Sequence, residues 1–155
     1  MNEDKLSQQI EAVNKAFHQV WFAVMFNRPD YKSENIKKLS FLEMHLIGMA
    51  YDHPEMILKE IREYLRIPQT TLSSIISKLE KQDILRRVIN HRDMRSFSLN
   101  VTDVGRKIRD DHKEHDFKQA KEFILALDKD ERDEFIRTFQ KVVNKIGQAR
   151  ESYDK

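Results

Sequence analysis

Between positions 69 and 95 the chain gathers side chains suited to reading a polyanion through hydrogen bonds. Gln69, Thr70, Thr71, Ser73, Ser74, Ser77, Lys78 and Lys81 fall in one short segment, and Arg92, Asp93 and Arg95 follow in another. Short hydroxyls let a backbone approach a surface closely while still offering donors and acceptors, and a glutamine amide can bond an adenine edge through two groups at once. Lys78, Lys81, Arg92 and Arg95 supply the charge that phosphate oxygens attract. That chemistry is recognition of double-stranded DNA. A Ser/Thr-rich face taken alone also reads as a solvated surface, so the elements that carry these residues decide between the two.

Leu72, Ile75, Ile76 and Leu79 recur at i, i+3, i+4 and i+7, which predicts a helix over 69–81 with the polar set facing outward. Ahead of it, Leu58, Ile61, Tyr64 and Leu65 predict a shorter helix, and Arg66-Ile67-Pro68 breaks the pattern. Pro68 suits the first turn of the following helix and pushes Ile67 out of helical geometry. Two helices joined by so short a turn cross steeply. Beyond them Ile84-Leu85 and Val88-Ile89 are β-favouring, 90–95 is polar and 96–99 alternates with period two, which predicts a hairpin. Its tip places Arg92 and Arg95 where they reach phosphates or a neighbouring minor groove, and Asp93 is expected to pair with one of them and orient it. Helix, turn, helix and hairpin in this order make a winged helix-turn-helix.

The flanks predict long helices. Ile10, Val13, Phe17, Val20 and Val24 recur with spacings of three and four, widened by Trp21 and Met25, and give a helix over 5–27 that Arg28-Pro29-Asp30 ends. Ser40-Phe41-Leu42-Glu43 matches a capping box and starts a helix over 41–51, before His53-Pro54. Thr102 is placed to cap a helix running to about Leu127, and Asp128 to begin another whose stripe is Phe135, Ile136, Phe139, Val142, Val143 and Ile146. Stripes this wide want more partners than a small reading head offers. Burial in a two-fold dimer satisfies them and sets two recognition helices about one DNA turn apart, over a pseudo-palindrome. The alternative is that the terminal helices fold back on their own chain.

The stretch 39–115 resembles the MarR family of bacterial transcriptional regulators. The resemblance rests on Leu39-Ser40-Phe41-Leu42-Glu43, Ile67-Pro68-Gln69-Thr70-Thr71-Leu72-Ser73, Leu79-Glu80-Lys81, Asp93-Met94-Arg95-Ser96 and Leu99-Asn100-Val101-Thr102-Asp103-Val104-Gly105, in that order and spacing. It implies a mostly α fold with a small β-hairpin wing, a recognition helix over 69–81, Asp93 and Arg95 as the wing pair, and chain ends that dimerise. A single domain is expected, with 5–38 and 102–150 as dimerisation helices and 39–101 as the winged helix-turn-helix. One departure stands out: the family commonly has a glycine between recognition helix and wing, where this chain has Gln82-Asp83. Asp tolerates left-handed geometry better than most residues.

The resemblance further implies a repressor that binds a small effector, often an aromatic or phenolic acid, where the dimerisation helices meet the reading head. Trp21, Phe22, Met25, Phe41, Met44 and His45 are the candidates to line that cavity, although core packing explains their periodicity equally well.

Composition agrees with one regulator-sized domain: 155 residues, 39% hydrophobic and 35% charged. No apolar run is long enough to cross a membrane and Met1-Asn2-Glu3-Asp4 is unlike a secretory signal, so a cytoplasmic protein is expected. Zero cysteines exclude disulfides, thiol catalysis and a cysteine-oxidation switch. The net charge of +2 is uninformative, but 57–109 holds 12 Lys/Arg against 6 Asp/Glu, leaving −4 for the remainder. The positive potential sits on the proposed reading head.

Chemistry of other kinds finds little support. Three glycines cannot assemble a phosphate-cradling loop or a dinucleotide fingerprint, and neither Gly-x-Ser-x-Gly nor His-Glu-x-x-His occurs. No enzyme and no cofactor are expected. His112 and His115 at i, i+3 offer a metal-responsive alternative, with His45 or Glu43 as further ligands, but in a run of Asp, Lys and Glu they also read as plain surface residues. A winged-helix protein-interaction module without DNA binding is the remaining alternative, although such a surface would present aromatic or aliphatic anchors in place of hydroxyls.

Overall fold

A computed structural model of the chain describes residues 3–26 and 36–152, with side chains at 3–23 and 36–147. Helix α1 spans Glu3–Phe26. The expected end of that helix at Asn27 and the break at Arg28-Pro29-Asp30 lie outside the described residues. A short 3-10 turn at Ile36–Lys38 leads into α2, Phe41–Asp52. Ser40 starts α2 as expected: its hydroxyl accepts from the Glu43 amide at 3.3 Å while Glu43 Oε2 accepts from the Ser40 amide at 2.8 Å. Met44, Leu46, Ile47, Met49 and Ala50 are all buried, so α2 is enclosed on most of its circumference and forms the centre of the reading head.

Helix α3, Leu58–Leu65, and α4, Gln69–Lys81, form the predicted pair. The reversal between them is made at Arg66, which adopts left-handed geometry with φ 51° and ψ 43°. Pro68 sits one position ahead of the first turn of α4 and not within it, in extended geometry with ψ 148°, and its carbonyl accepts from the Leu72 amide. On α4, Leu72, Ile76 and Leu79 are buried and Ile75 packs partly against the same core. Each buried aliphatic side chain of this kind contributes roughly 1.5–3 kcal/mol.

The chain leaves α4 through Asp83, at φ 55°, so an aspartate takes the left-handed geometry at the position where the resemblance leads one to expect glycine. Strands β1, Leu85–Ile89, and β2, Phe97–Val101, pair antiparallel from Leu85 opposite Val101 to Ile89 opposite Phe97. A bridge from Ile57 to Ser98 seats the hairpin against the start of α3. Thr102 then begins α5, Asp103–Leu125, accepting from the Gly105 amide at 3.1 Å and donating to the Asp83 carbonyl. Gly105 passes so close to β1 that a Cβ built there would fall 2.3 Å from the Ile84 carbonyl oxygen. Helix α6 runs Arg132–Ser152, starting four residues past Asp128, whose amide donates to Glu131 in the turn before it.

The core joins Leu46 and Ile47 of α2, Ile61 of α3, Leu72, Ile76 and Leu79 of α4, Leu85, Leu99 and Val101 of the hairpin and Ile108 of α5. Helices α1 and α6 stay outside it. Every described side chain of α1 is exposed, including Phe17 and Trp21, and so is the α6 stripe from Phe135 to Ile146. The alternative that these helices fold back on their own chain finds no support among the described residues, whose apolar side chains on α1 and α6 remain open. Among the described residues no helix is long and apolar enough to cross a membrane.

Candidate nucleic-acid interface

With its apolar stripe turned inward, α4 presents Gln69, Thr70, Ser74 and Lys81 to the outside, and Thr71, Ser73 and Ser77 half-buried along the margins of that face. Gln69 Nε2 reaches Ser73 Oγ at 3.5 Å, so the residue that opens α4 is paired with one a turn further along. A helix whose first turns carry adaptable donors and acceptors has the form that enters a major groove.

Lys78, expected as an outward phosphate contact, also reaches back to the start of α2. Its ammonium lies 2.7 Å from Glu43 Oε1 at the start of α2, where the Glu43 side chain is only 6% exposed. Burial alone would push the Glu43 carboxyl up, but Lys78 together with the amide and hydroxyl of Ser40 outweighs it and holds the group below the usual carboxylate range. The other margin of the face carries a second anchored cation, Arg87 of β1. It donates to the Glu80 carboxylate and to Ser77 Oγ at 3.4 Å. Sequence reasoning counted Arg87 only as charge; the signal was its place three residues into the first wing strand.

Arg92 and Arg95 are both exposed at the hairpin tip. Asp93 is not paired with either guanidinium, contrary to expectation. Its carboxylate accepts from the Arg95 amide at 3.0 Å and from the Ser96 hydroxyl, and these bonds hold it below the usual carboxylate range. Asp93 therefore shapes the turn through the backbone, because a short side chain in a tight loop meets nearby amides before it meets a long flexible cation.

A separate cleft of about 420 Å³ opens between α2, α3 and α5. It gathers Phe41, Met44 and His45 from the expected set and adds Tyr64 and Arg109, which were not foreseen, and His112, which the sequence had set beside His45 only in the metal alternative. His45 stacks between Phe41 and Tyr64, with ring centroids 6.2 and 6.3 Å away. Arg109 reaches Asp52 at 3.2 Å across the cleft. Trp21 and Phe22 stand on the exposed face of α1 and do not line it, and the Met25 side chain lies outside the described residues. The alternative of core packing holds for Met44, which is buried, and fails for Phe41, Trp21 and Phe22, which are exposed.

The metal alternative does not assemble. Glu43 is engaged by Lys78 and Ser40, His112 Nδ1 lies 2.9 Å from Asp116, and burial holds His115 below the usual imidazole range. Among the described residues no group of three or more His, Asp or Glu side chains is placed to hold a metal ion.

A helix-turn-helix, a face of hydroxyls on α4 and a two-stranded hairpin tipped with arginines make a winged helix-turn-helix. The MarR family model matches residues 39–97, from just before α2 to the start of β2. Solved structures agree in fold. FabT of Streptococcus pneumoniae, in complex with DNA, is 19% identical over 97% of this chain and 99% of its own, with a TM-score of 0.68. A crystal structure of MarR is 14% identical over 94% of this chain and 93% of its own, at 0.64. PcaV of Streptomyces coelicolor, in complex with its natural ligand, is 17% identical over 85% and 89%, at 0.58. No curated protein matches the chain in sequence.

Proposed function

We propose that this protein is a homodimeric repressor that reads a pseudo-palindromic operator and releases it on binding a small aromatic acid. The observation that carries the reading is the combination, on one rigid head, of the α4 hydroxyl face with the Arg92 and Arg95 wing. Gln69, Thr70, Thr71, Ser73, Ser74 and Ser77 sample base edges, while Lys81, Arg92 and Arg95 contact phosphate or the minor groove. Lys78, tied to Glu43, buttresses the helix at its flank.

The exposed apolar faces of α1 and α6 support pairing of two chains, with 5–38 and 102–150 as dimerisation helices around a reading head at 39–101, all in one domain. The cleft of Phe41, His45, Tyr64 and Arg109 supports the effector reading, since stacked rings beside a guanidinium suit a planar carboxylate. A DNA-bound and a ligand-bound structure among the relatives point the same way. An effector there changes the separation of the two recognition helices, and only one separation fits the groove repeat.

Purified protein incubated with a genomic fragment library at two salt concentrations, followed by sequencing of recovered DNA, tests the reading. Enrichment of a short inverted repeat with steep salt dependence is expected. Recovery without sequence enrichment at either salt would sink it.

A further inference from the structure

We infer that Asn90 is a positioning residue for DNA binding, locking the arginine-bearing wing tip to the helix-turn-helix; the inference rests on the DNA-binding reading above. Asn90 is only 2% exposed, at the junction of β1 and the wing loop. A side-chain amide has two donor hydrogens and an oxygen with two lone pairs, and here all are used. Nδ2 donates to the Glu55 carbonyl at 2.8 Å and to Ser98 Oγ, while Oδ1 accepts from the amides of Arg92 at 2.8 Å and Asp93 at 3.0 Å.

The four partners lie on three separate pieces of chain. Glu55 belongs to the turn between α2 and α3, Ser98 to β2, and Arg92 and Asp93 to the wing loop. Asp93 passes the constraint on, accepting from the Arg95 amide. The backbones of both wing arginines therefore hang from one buried amide that is anchored in the body of the helix-turn-helix. This matters because a two-stranded ribbon of five residues a side is marginal by itself, and its ladder does not fix where the tip points. A fully satisfied buried polar group specifies one arrangement and penalises the alternatives that leave it unpaired. Asn90 touches no DNA in this account; it acts through Arg92 and Arg95.

The test measures binding of the full-length protein to its enriched operator across a salt series, for wild type, Asn90→Ala, Arg95→Ala and the double variant, at a temperature where circular dichroism shows each folded. Asn90→Ala is expected to weaken binding about tenfold and to lower the salt slope by about one. Arg95→Ala is expected to weaken wild type about tenfold but to add less than about threefold in the Asn90→Ala background, since the arginine is already misplaced there. A merely structural Asn90 would lower Tm yet leave the Arg95→Ala effect equal in both backgrounds, and that equality overturns the inference. Should Asn90→Ala fail to fold, Ser98→Ala removes one of the four bonds and reads the same coupling, with an expected loss of about threefold. A wild type that binds no specific DNA overturns the DNA reading and the positioning role together, whereas equal Arg95 effects in a wild type that does bind overturn the positioning role alone.

Discussion

Lys78 and Glu43 form an ion pair at 2.7 Å that joins the recognition helix to the first turn of α2 across 35 residues of sequence. Glu43 thereby does two things at once, closing the capping box with Ser40 and fixing the azimuth of α4 about its own axis.

Because the folded-state carboxyl is held below its ordinary value of 4.5, Glu43 contributes stability that is full above that pH and is lost as pH falls through the folded pKa. The stability gap between wild type and Glu43→Gln is therefore expected to be constant near neutrality and to close in the acid range below the ordinary carboxyl value of 4.5. Lys78→Met is expected to lose roughly 1–2 kcal/mol at pH 7, since the lysine is half exposed and Ser40 still serves the carboxylate. Urea unfolding from pH 3 to 8 checks both; a gap that widens toward acid would contradict the assignment.

Base discrimination and backbone affinity are expected to separate by residue. Gln69→Ala and Ser73→Ala disturb the paired start of α4 and are expected to relax discrimination at one operator position by about 1–3 kcal/mol while leaving the salt slope intact. Arg95→Ala is expected to weaken every sequence and flatten the slope by about one. Competition binding against single-base operator variants distinguishes the two, and an Arg95→Ala protein with an unchanged slope would remove the wing from the interface.

Two backbone positions around the α4 exit are expected to respond in opposite directions. At Gly105 an added methyl meets the Ile84 backbone carbonyl at 2.3 Å, which cannot yield, and the Val101 side chain at 2.7 Å, so Gly105→Ala is expected to cost roughly 2 kcal/mol. At Asp83 the left-handed backbone favours glycine, and the Arg86 pair lost with the carboxylate is exposed, so Asp83→Gly is expected to be neutral or to stabilise by up to about 1 kcal/mol. Thermal unfolding of each variant gives the sign directly.

The open stripe of α6 predicts how the chain assembles. Phe135 and Phe139 stack at 5.7 Å on that face, beside Ile136, Val143 and Ile146. Phe139→Glu places a charge at the centre of the stripe and is expected to shift sedimentation from dimer to monomer at micromolar concentration while the far-ultraviolet circular dichroism of the helices persists. A Phe139→Glu protein that remains dimeric would exclude α6 from the interface.

Much of this protein was written locally. The spans of α2, α3, α4 and the hairpin follow from apolar periods, from the hydroxyls of Ser40 and Thr102, and from the break at Arg66-Ile67-Pro68, all signals carried within a few residues of the element they shape. The outward set on α4 was legible for the same reason: once Leu72, Ile76 and Leu79 face the core, helical geometry leaves Thr70, Ser74 and Lys81 outside. Side-chain partnership was not legible. Lys78 meets Glu43, Asn90 meets Glu55, and Arg109 meets Asp52 because elements far apart in sequence pack at particular distances and angles, which no local period encodes. The cleft was half foreseen for that reason, with Phe41, Met44 and His45 given by α2 itself, and Tyr64, Arg109 and His112 brought to it only when α3 and α5 closed around the core.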